Sequence, residues 1–414
     1  MRIAVLVKST TFHSGYGGLE TQNKLLCEGL VRRGYDVLVF SPQQDLKFEA
    51  KYENGVKYHF LPCVYKLTHI GKNNWLNISS ETFSRHHKEK PFDLVLSQSS
   101  AGLGVILNRH EFNVPVISIS HGTIMGEFQT RLNSVKGLRS YFRLLKDALF
   151  VLRVFFGRQR KFVHGSIRVI AVSSAVREAL INETFVSKSK VVVINNGIDP
   201  ALFEQTSYHP TNGDFLAHSL HPLDKPKILY VGQITKSKGL DTVFRLSQEP
   251  EFSEISFEII GGGDYLDELK SKVLSCDCAN RVRIHGKMLY ADLLPYLKSL
   301  KDTIFVFPTK RYEGFPMVLV EALFLGFPVV AYDVGGVSDA VKNEETGFLV
   351  PSGDYEEYKK KLQMLIRDSE KRKVFSENSR KFAYNELTLD KMLDQYEQVF
   401  KEVLKEYENI THSL

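Results

Sequence analysis

The chain has 414 residues, of which 43% are hydrophobic and 25% charged, an ordinary composition for a globular protein. A single hydrophobic core rarely extends over such a length, so two domains are expected. The four cysteines are too few for a disulfide framework and lack zinc-site spacing, which predicts reduced thiols in the cytoplasm. Because no run approaches about 18 apolar residues, no membrane-spanning helix is predicted.

Short apolar, β-branched runs alternate with longer segments of helical spacing in the first half of the chain. Runs that are apolar on both faces are typical of parallel strands covered by helices. Six runs fit this pattern: Arg2–Lys8, Asp36–Phe40, Asp93–Ser97, Pro115–Ser120, Arg168–Ser173 and Lys190–Ile194. Between the first two, Gly18–Arg33 has apolar residues at helical spacing and ends before Gly34, a helix C-terminal signal.

Two features of the first half follow predicted strands. The glycines of Gly15–Gly18 lie between the first strand and the first helix, the usual place for a phosphate, but no dinucleotide fingerprint with its ribose acid can be placed there. His121 directly follows the fourth strand and should lie at its carboxyl end, facing the cleft between the domains. The alternative for His121 is a structural histidine bonded to backbone.

The positive charge of the chain is concentrated in the segment Arg131–Arg168. It carries ten Arg or Lys and one acid, a net +9, whereas the whole chain has +6. Basic and apolar residues recur there at helical spacing: Lys136, Arg139, Arg143, Lys146 and Arg153 on one stripe, and Leu145, Leu149, Leu152 and Phe156 on another. We expect a helix that lies on an anionic membrane surface. The alternative is a packing helix with a solvated basic face.

The second half repeats the alternation of strands and helices. Its predicted strands are Lys227–Val231, Phe257–Ile260, Arg281–His285, Thr303–Phe307 and Pro328–Tyr332. The segment Asp199–Lys225 lacks periodicity and is rich in Pro, His, Asn and Asp, which predicts a domain boundary. The pattern therefore predicts an α/β protein with two successive doubly wound domains and a cleft between them.

Glycine-rich turns follow three strands of the second half. The first turn, Gly232–Gly239, contains Lys238. The second turn begins at Gly261, and the third contains Gly335-Gly336. Turns at the carboxyl ends of parallel strands are where such sheets bind ligands. Lys238 is a candidate phosphate contact, although solvated lysines are common.

The most informative stretch is Glu313–Glu321, EGFPMVLVE, which follows the strand TIFVF. Pro316 suits the first turn of a helix, where its missing N–H costs nothing. Free amides at this helix start would suit a phosphate; they belong to Gly314, Phe315 and Met317.

We expect different environments for the two acids of this stretch. Glu321 is the only charge in an otherwise apolar helix, so it needs a partner, and a ribose diol, a cation or a structural salt bridge would serve. Glu313 lies just outside the helix, where an exposed loop acid is the ordinary alternative to a binding role. The sequence has no Asp-x-Asp for a metal-bound nucleotide sugar, no Walker loop and no G-x-S-x-G.

Together these motifs resemble the retaining GT-B glycosyltransferases, in particular family 4. The resemblance extends over nearly the whole chain, is strongest from Ile228 to Pro351 and is weak between Gln43 and Phe92. Its most specific element is Glu-x7-Glu, here Glu313 and Glu321. It implies a GT-B fold of two Rossmann-like domains, residues 1–200 on the acceptor side and 201–386 on the nucleotide-sugar side, with a helix at 387–414 that packs back on the first domain.

The resemblance also implies roles for individual residues. Glu321 would contact the ribose, Glu313 the donor sugar, Lys238 a phosphate, and His121 the region of the anomeric carbon. The remaining donor-binding positions are Gly17 and Gly18 near the diphosphate, Gln233 in the first turn of the second domain, and Gly314, Phe315, Pro316 and Met317 at the helix start. No metal and no cofactor is expected, since the UDP- or GDP-linked sugar is a substrate.

This chain departs from the family pattern at two positions. Gln233 stands where the family usually has Arg, which removes one positive charge from the leaving-group site. Asp339 replaces a common Glu after the Gly-Gly turn.

The function implied is a metal-independent retaining hexosyltransferase of cell-surface polysaccharide or glycolipid synthesis. Its expected partners are a nucleotide sugar, a glycan or lipid-linked acceptor and, through the basic segment, the inner face of the cell membrane, with no nucleic acid. The main alternative is a GT-B membrane-surface adaptor or nucleotide-sugar-binding protein without transfer activity. Three other classes of enzyme fit less well. A phosphorylase of this fold would need a pyridoxal lysine site, and the epimerases lack the Glu-x7-Glu motif that this chain has. A nicotinamide oxidoreductase would need the dinucleotide fingerprint, which this chain lacks.

Overall fold

The computed structural model describes residues 1–13, 17–63, 65, 74–132, 155–204 and 225–412. The chain forms two compact units. Unit 1 comprises Met1–Ile198 together with Leu389–Leu414, and unit 2 comprises Asp199–Thr388. Each unit is an α/β domain built on a parallel sheet, as predicted for the fold class.

Unit 1 contains an eight-stranded sheet in the described residues. Its strands are β1 Arg2–Leu6, β2 Asp36–Pro42, β3 Ala50–Glu53, β4 Val56–Leu61, β5 Leu94–Gln98, β6 Val116–Ser120, β7 Arg168–Ala171 and β8 Val191–Val193. Their order is β3-β4-β2-β1-β5-β6-β7-β8, and only β3 and β4 pair antiparallel. The central strands β1, β5 and β6 are buried almost throughout, because helices cover both faces of the sheet.

Helices connect these strands. They are α1 Gly18–Arg32, α2 Trp75–Glu89, α3 Leu103–Leu107, α4 Arg109–Phe112, α5 Ile124–Leu132, α6 Arg160–Gly165 and α7 Ser174–Thr184, with a π-helical turn at Phe155–Gln159 before α6. Polar side chains cap the starts of two of them. Asn74 accepts from the Asn77 amide (3.0 Å), and Ser173 accepts from the Val176 amide (3.2 Å).

Unit 2 contains a six-stranded sheet in its described part. Its strands are β9 Lys227–Val231, β10 Phe257–Ile260, β11 Val282–Gly286, β12 Thr303–Phe307, β13 Val329–Asp333 and β14 Gly347–Pro351, in the order β11-β10-β9-β12-β13-β14 with every pair parallel. The helices are α8 Ala201–Glu204, α9 Leu240–Gln248, α10 Leu266–Leu274, α11 Tyr290–Ser299, α12 Met317–Phe324, α13 Val337–Ala340, α14 Tyr355–Arg367 and α15 Ser369–Glu386.

The last helix, α16 (Leu389–His412), belongs to unit 1 and packs against α1. Arg33 donates to Asp394 (2.6 Å) and to Glu397 (3.0 Å). The two helices approach closely, since a Cβ added at Gly29 would lie 2.7 Å from a methyl carbon of Leu393. This contact joins the end of the chain to its first helix.

The cysteines differ in part from the expectation of reduced thiols. Cys27 and Cys63 are free, whereas Cys276 and Cys278 form a disulfide. Their Cα atoms lie 5.2 Å apart, within the range that a disulfide can join. The prediction of four reduced thiols is therefore wrong for this pair, because the turn after α10 folds the two residues towards each other.

In each sheet the order in which successive strands are added reverses between two neighbouring central strands. In unit 1 the successive strands run outward from β1 on one side and from β5 on the other, and in unit 2 the same holds for β9 and β12. Crevices for ligands form at such switch points, outside the carboxyl ends of the strands. The loops after these four strands are therefore the places to look for a site.

Candidate active site

The loops after β9 and β12 contact each other at the switch point of unit 2. The Lys310 amide donates to the Ser237 carbonyl (2.9 Å). Gly239 has a φ of +79°, and a Cβ there would lie 1.8 Å from the Pro308 carbonyl oxygen. Only glycine allows this approach, which places Lys238 beside the loop that carries Glu313.

Lys238 and Glu313 form an ion pair at this place. Lys238 Nζ lies 2.6 Å from Glu313 Oε1, and the two side chains are only 15% and 13% exposed. The buried Thr309 hydroxyl donates to the same oxygen (3.1 Å). Glu313 is therefore not an exposed loop acid but a carboxylate held by two donors from the two loops.

The glycine turn after β13 holds the backbone of Glu313. The Gly336 amide donates to the Glu313 carbonyl (2.8 Å). Gly335 has a φ of +57°, and a Cβ there would lie 2.2 Å from the same carbonyl oxygen. This turn therefore requires glycine for its conformation and for the space that Glu313 occupies.

Helix α12 begins directly after this loop. Pro316 is its N-cap and the helix begins at Met317, so the expectation that Pro316 lies in the first turn is wrong by one residue. The amides of Gly314, Phe315 and Met317 donate to no backbone carbonyl within the described part of the chain. They remain available to an anion at the helix start, where the helix dipole favours negative charge.

Glu321 lies on α12 and its partner is Tyr290, the first residue of α11. Burial raises the pKa of Glu321 to about 7, and the hydrogen bond from Tyr290 opposes this rise. Burial also raises the pKa of Tyr290, so its hydroxyl stays protonated and donates. Among the described residues no Lys or Arg forms an ion pair with Glu321, so the structural salt bridge considered above is not found there.

In unit 1, His121 lies just beyond β6 and contacts a side chain, not backbone. His121 Nε2 lies 2.5 Å from Gln98 Oε1, at the end of β5, and Gln98 Nε2 donates to Asn23 of α1 (2.8 Å). Burial and, secondarily, the positive charge of Lys8 lower the pKa of His121 to about 4. His121 is therefore a neutral imidazole at neutral pH.

The glycine pair of unit 1 lies at the start of α1. Gly17 is the N-cap and Gly18 the first helical residue, and both are exposed. The Gly17 amide donates to Glu20 Oε2 (2.9 Å), so this carboxylate already occupies one amide of the helix start. Gly15 lies outside the described residues.

The remaining sequence predictions concern the two departures from the family pattern, Gln233 and Asp339, and the basic segment. Gln233 is exposed, and its carbonyl accepts from the Tyr230 hydroxyl (2.8 Å). Asp339 lies in α13 and is half-buried. Most of the basic segment, residues 133–154, lies outside the described part, so the helix predicted there is not described.

The described residues show neither a metal cluster nor a membrane span. No group of three or more His, Cys, Asp or Glu side chains among them could hold a metal ion. No helix in the described ranges is long and apolar enough to cross a membrane.

The structure brings Lys238, Glu313 and the α12 amides together in unit 2, and a neutral His121 is held separately in unit 1. Sequence reasoning missed Tyr290, Thr309, Gln98 and Asn23. Gln98 ends a predicted strand, a signal that could have found it, whereas Tyr290 contacts a residue 31 positions away and has no local signal. The arrangement in unit 2 can bind a phosphate group and hydroxyl groups side by side.

Two family models match consecutive parts of the chain. Residues 16–202 match Glycosyltransferase Family 4, and residues 214–382 match Glycosyl transferases group 1. The capsular polysaccharide biosynthesis glycosyltransferase CapM of Staphylococcus aureus is 28% identical over 336 residues, 78% of this chain and 80% of its own length.

Solved structures share the fold along nearly the whole chain. Sucrose-phosphate synthase from Thermosynechococcus elongatus has a TM-score of 0.74 at 21% identity, covering 98% of this chain and 99% of that one. Anabaena HepE, solved with UDP-glucose, has a TM-score of 0.71 at 18% identity, covering 97% and 100%. With the two models spanning most of the sequence, the chain belongs to the GT-B glycosyltransferases of family 4.

Proposed function

We propose that this glycosyltransferase moves a hexose-type sugar, with retention and without a metal ion, from a UDP- or GDP-linked donor to a glycan or lipid-linked acceptor. The observation that carries the proposal is the Lys238–Glu313 pair at the switch point of unit 2. It stands beside the free amides at the start of α12. The relatives support the choice of substrates, since CapM is named for capsular polysaccharide synthesis and HepE was solved with UDP-glucose.

Lys238 and the α12 amides stabilise the leaving nucleoside diphosphate. Breaking the bond between the anomeric carbon and the phosphate oxygen builds negative charge on the diphosphate. An ammonium group and preorganised amides offset this charge without a metal ion, and Lys238 is largely buried, where such contacts are strong. Because Gln233 stands where the family usually has Arg, fewer cations stabilise the leaving diphosphate here than is usual in the family.

Glu313 orients the donor sugar. Its second carboxylate oxygen, Oε2, remains to accept hydroxyl hydrogens, because Lys238 and Thr309 both donate to Oε1. The glycine turn at Gly335 and Gly336 fixes the backbone of Glu313, so the carboxylate is preorganised.

Glu321 and Tyr290 bind the ribose. A carboxylate that accepts from both hydroxyls of a diol gains two charge-assisted hydrogen bonds. The diol supplies donors to a group whose present partner among the described residues is one tyrosine. Such a partner also offsets the cost of burying the charged form.

Retention follows from attack on the same face as the departing diphosphate. The acceptor hydroxyl forms its bond to the anomeric carbon as the carbon–oxygen bond to phosphate breaks, and its proton passes to the departing phosphate oxygen. No carboxylate nucleophile is required, and Glu313 remains in its ion pair. Lys238 steadies the phosphate during this proton transfer.

A donor screen with product analysis tests the proposal. Wild type is incubated with UDP-, GDP- and ADP-hexoses, and hydrolysis or transfer is followed with the anomeric configuration of early products read by NMR. We expect one donor class to be turned over with retention, and Glu313→Gln to reduce turnover by at least 100-fold. Inverted products would refute the retaining mechanism, and nucleotide binding without turnover of any donor would favour the adaptor alternative.

A further inference from the structure

Two buried side chains of unit 1 connect its switch point to His121. Gln98 is the last residue of β5, Asn23 lies on α1, and each is only 2% exposed. The distances are 2.5 Å from His121 Nε2 to Gln98 Oε1 and 2.8 Å from Gln98 Nε2 to Asn23 Oδ1. Buried polar chains of this kind hold their members in one orientation when every group is satisfied.

The direction of these hydrogen bonds fixes the position of the histidine proton. The amide nitrogen of Gln98 donates to Asn23, so the amide oxygen faces His121. A carbonyl oxygen can only accept, and therefore His121 Nε2 carries the hydrogen.

Cys27 lies at the far end of this series of hydrogen-bonded side chains, next to Asn23. Its thiol is completely buried and lies 4.0 Å from Asn23 Oδ1. Burial raises the pKa of Cys27, so the thiol stays protonated and can donate. Asn23 Oδ1 thus faces two donors, Cys27 and Gln98, which sets the orientation of the asparagine amide.

The other ring nitrogen of His121 is left as an acceptor. A neutral imidazole carries one ring hydrogen, and here that hydrogen is on Nε2. Within the described part of the chain, Nδ1 makes no hydrogen bond. An unprotonated Nδ1 can accept from a hydroxyl but repels an ionised phosphate oxygen, which has no hydrogen to donate.

We propose that Gln98, held by Asn23, is a positioning residue that fixes His121 in the neutral Nε2–H tautomer and so presents Nδ1 to a hydroxyl of the substrate. The use of this tautomer in sugar transfer rests on the proposed function. The tautomer itself does not, because it follows from the contacts of Gln98.

Histidine-ring NMR on the full-length protein at pH 7 tests the tautomer directly. Long-range ¹H–¹⁵N spectra distinguish a protonated Nε2 from a protonated Nδ1, and the His121 signals are assigned by their loss in His121→Gln. We expect one tautomer, protonated at Nε2. A wild-type ring protonated on Nδ1, or on both nitrogens, would overturn the inference.

Variants test the part played by Gln98. In Gln98→Leu we expect a mixture of tautomers, because the only acceptor for Nε2 in the described contacts is gone. In Gln98→Glu we expect a ring protonated on both nitrogens, because a carboxylate stabilises the imidazolium. The matched control is Asn108→Ala, which removes a side-chain amide bonded elsewhere in unit 1, to Ser80 and the Gly104 carbonyl. It should leave the His121 signals unchanged, and an unchanged tautomer in Gln98→Leu would overturn the role of Gln98.

Kinetics separate positioning from mere stability. Gln98→Leu should lower kcat about tenfold, the effect of one misaligned hydrogen bond, while the affinity for free UDP or GDP stays within about twofold. Asn108→Ala should change neither. A loss of nucleotide affinity equal to the loss of kcat would overturn the positioning role. If no donor is turned over, the proposed function fails, but the NMR experiment still decides the tautomer.

Discussion

The pKa of Glu321 provides a quantitative test of its placement at the ribose. Burial raises this pKa to about 7, so the carboxyl group of the free protein is half protonated at neutral pH. The charged form accepts both hydrogen bonds of a diol as charge-assisted bonds, which are stronger than bonds to a neutral carboxyl group, so nucleotide binding should favour it. Affinity should therefore rise as the pH rises through 7. The charged fraction is about one tenth at pH 6 and about nine tenths at pH 8, a tenfold difference in Kd worth ~1.4 kcal/mol.

Calorimetry at pH 6, 7 and 8 with UDP or GDP measures this dependence. In two buffers of different ionisation enthalpy, about half a proton should be released per nucleotide bound at pH 7. Glu321→Gln is the matched control, because it keeps the shape of the side chain and leaves only the phosphate to titrate. Its affinity should be weaker and should lack the tenfold term.

Tyr290→Phe refines the same test. The tyrosine hydrogen bond lowers the pKa of Glu321, so its removal should move the midpoint above pH 7. Wild type and Glu321→Gln with the same pH dependence would refute the reasoning, since Glu321 would then not change its protonation on binding.

The other predictions concern the ion pairs and the basic segment. Glu313→Gln should leave UDP or GDP affinity within about twofold by calorimetry, whereas Lys238→Ala should cost transfer at least ~2–3 kcal/mol in a turnover assay; equal, small effects would contradict both roles. Arg372→Met should lower the free energy of unfolding by about 2 kcal/mol in urea, because it leaves two carbonyls and the partly exposed Asp302 carboxylate without their donor, while nucleotide affinity is unchanged. Wild type should sediment with anionic vesicles at low salt and be released as salt rises, and failure to bind would contradict a membrane role for Arg131–Arg168.

The strands of both sheets were predictable where they are buried on both faces. The runs that become β1, β6 and β12 are mostly apolar and are buried over nearly their whole length, because helices cover both faces of the central strands of a parallel sheet. The periodicity of α1 was equally clear, and its end at Gly34 follows from the left-handed backbone there (φ +87°).

The hairpin of β3 and β4 was missed although a local signal was present. Asn54 and Gly55 connect the two strands with φ values of +49° and +81°, the left-handed pair that a tight hairpin turn requires. The flanking strands are half exposed and carry charges, so they lack the apolar signature of the parallel strands.

The candidate site was predictable only where its residues share one segment. Glu313 and Glu321 lie eight positions apart and could be recognised by spacing. The contacts of Gln98 with Asn23 and His121 join positions 75 and 23 residues apart, and no local pattern encodes them. Strand order decides such contacts, since β5 lies between β1 and β6.

The position of α16 gives the chain an unusual order of completion during synthesis. Unit 2 is continuous in sequence, whereas unit 1 needs the last helix of 24 residues to cover α1. While the ribosome translates Asp199–Thr388, the surface of α1 that contains Gly29 and Arg33 is not yet covered by α16. The usual rule that the N-terminal domain completes first is therefore reversed: unit 2 can close as soon as it emerges, and the first unit to begin is the last to finish.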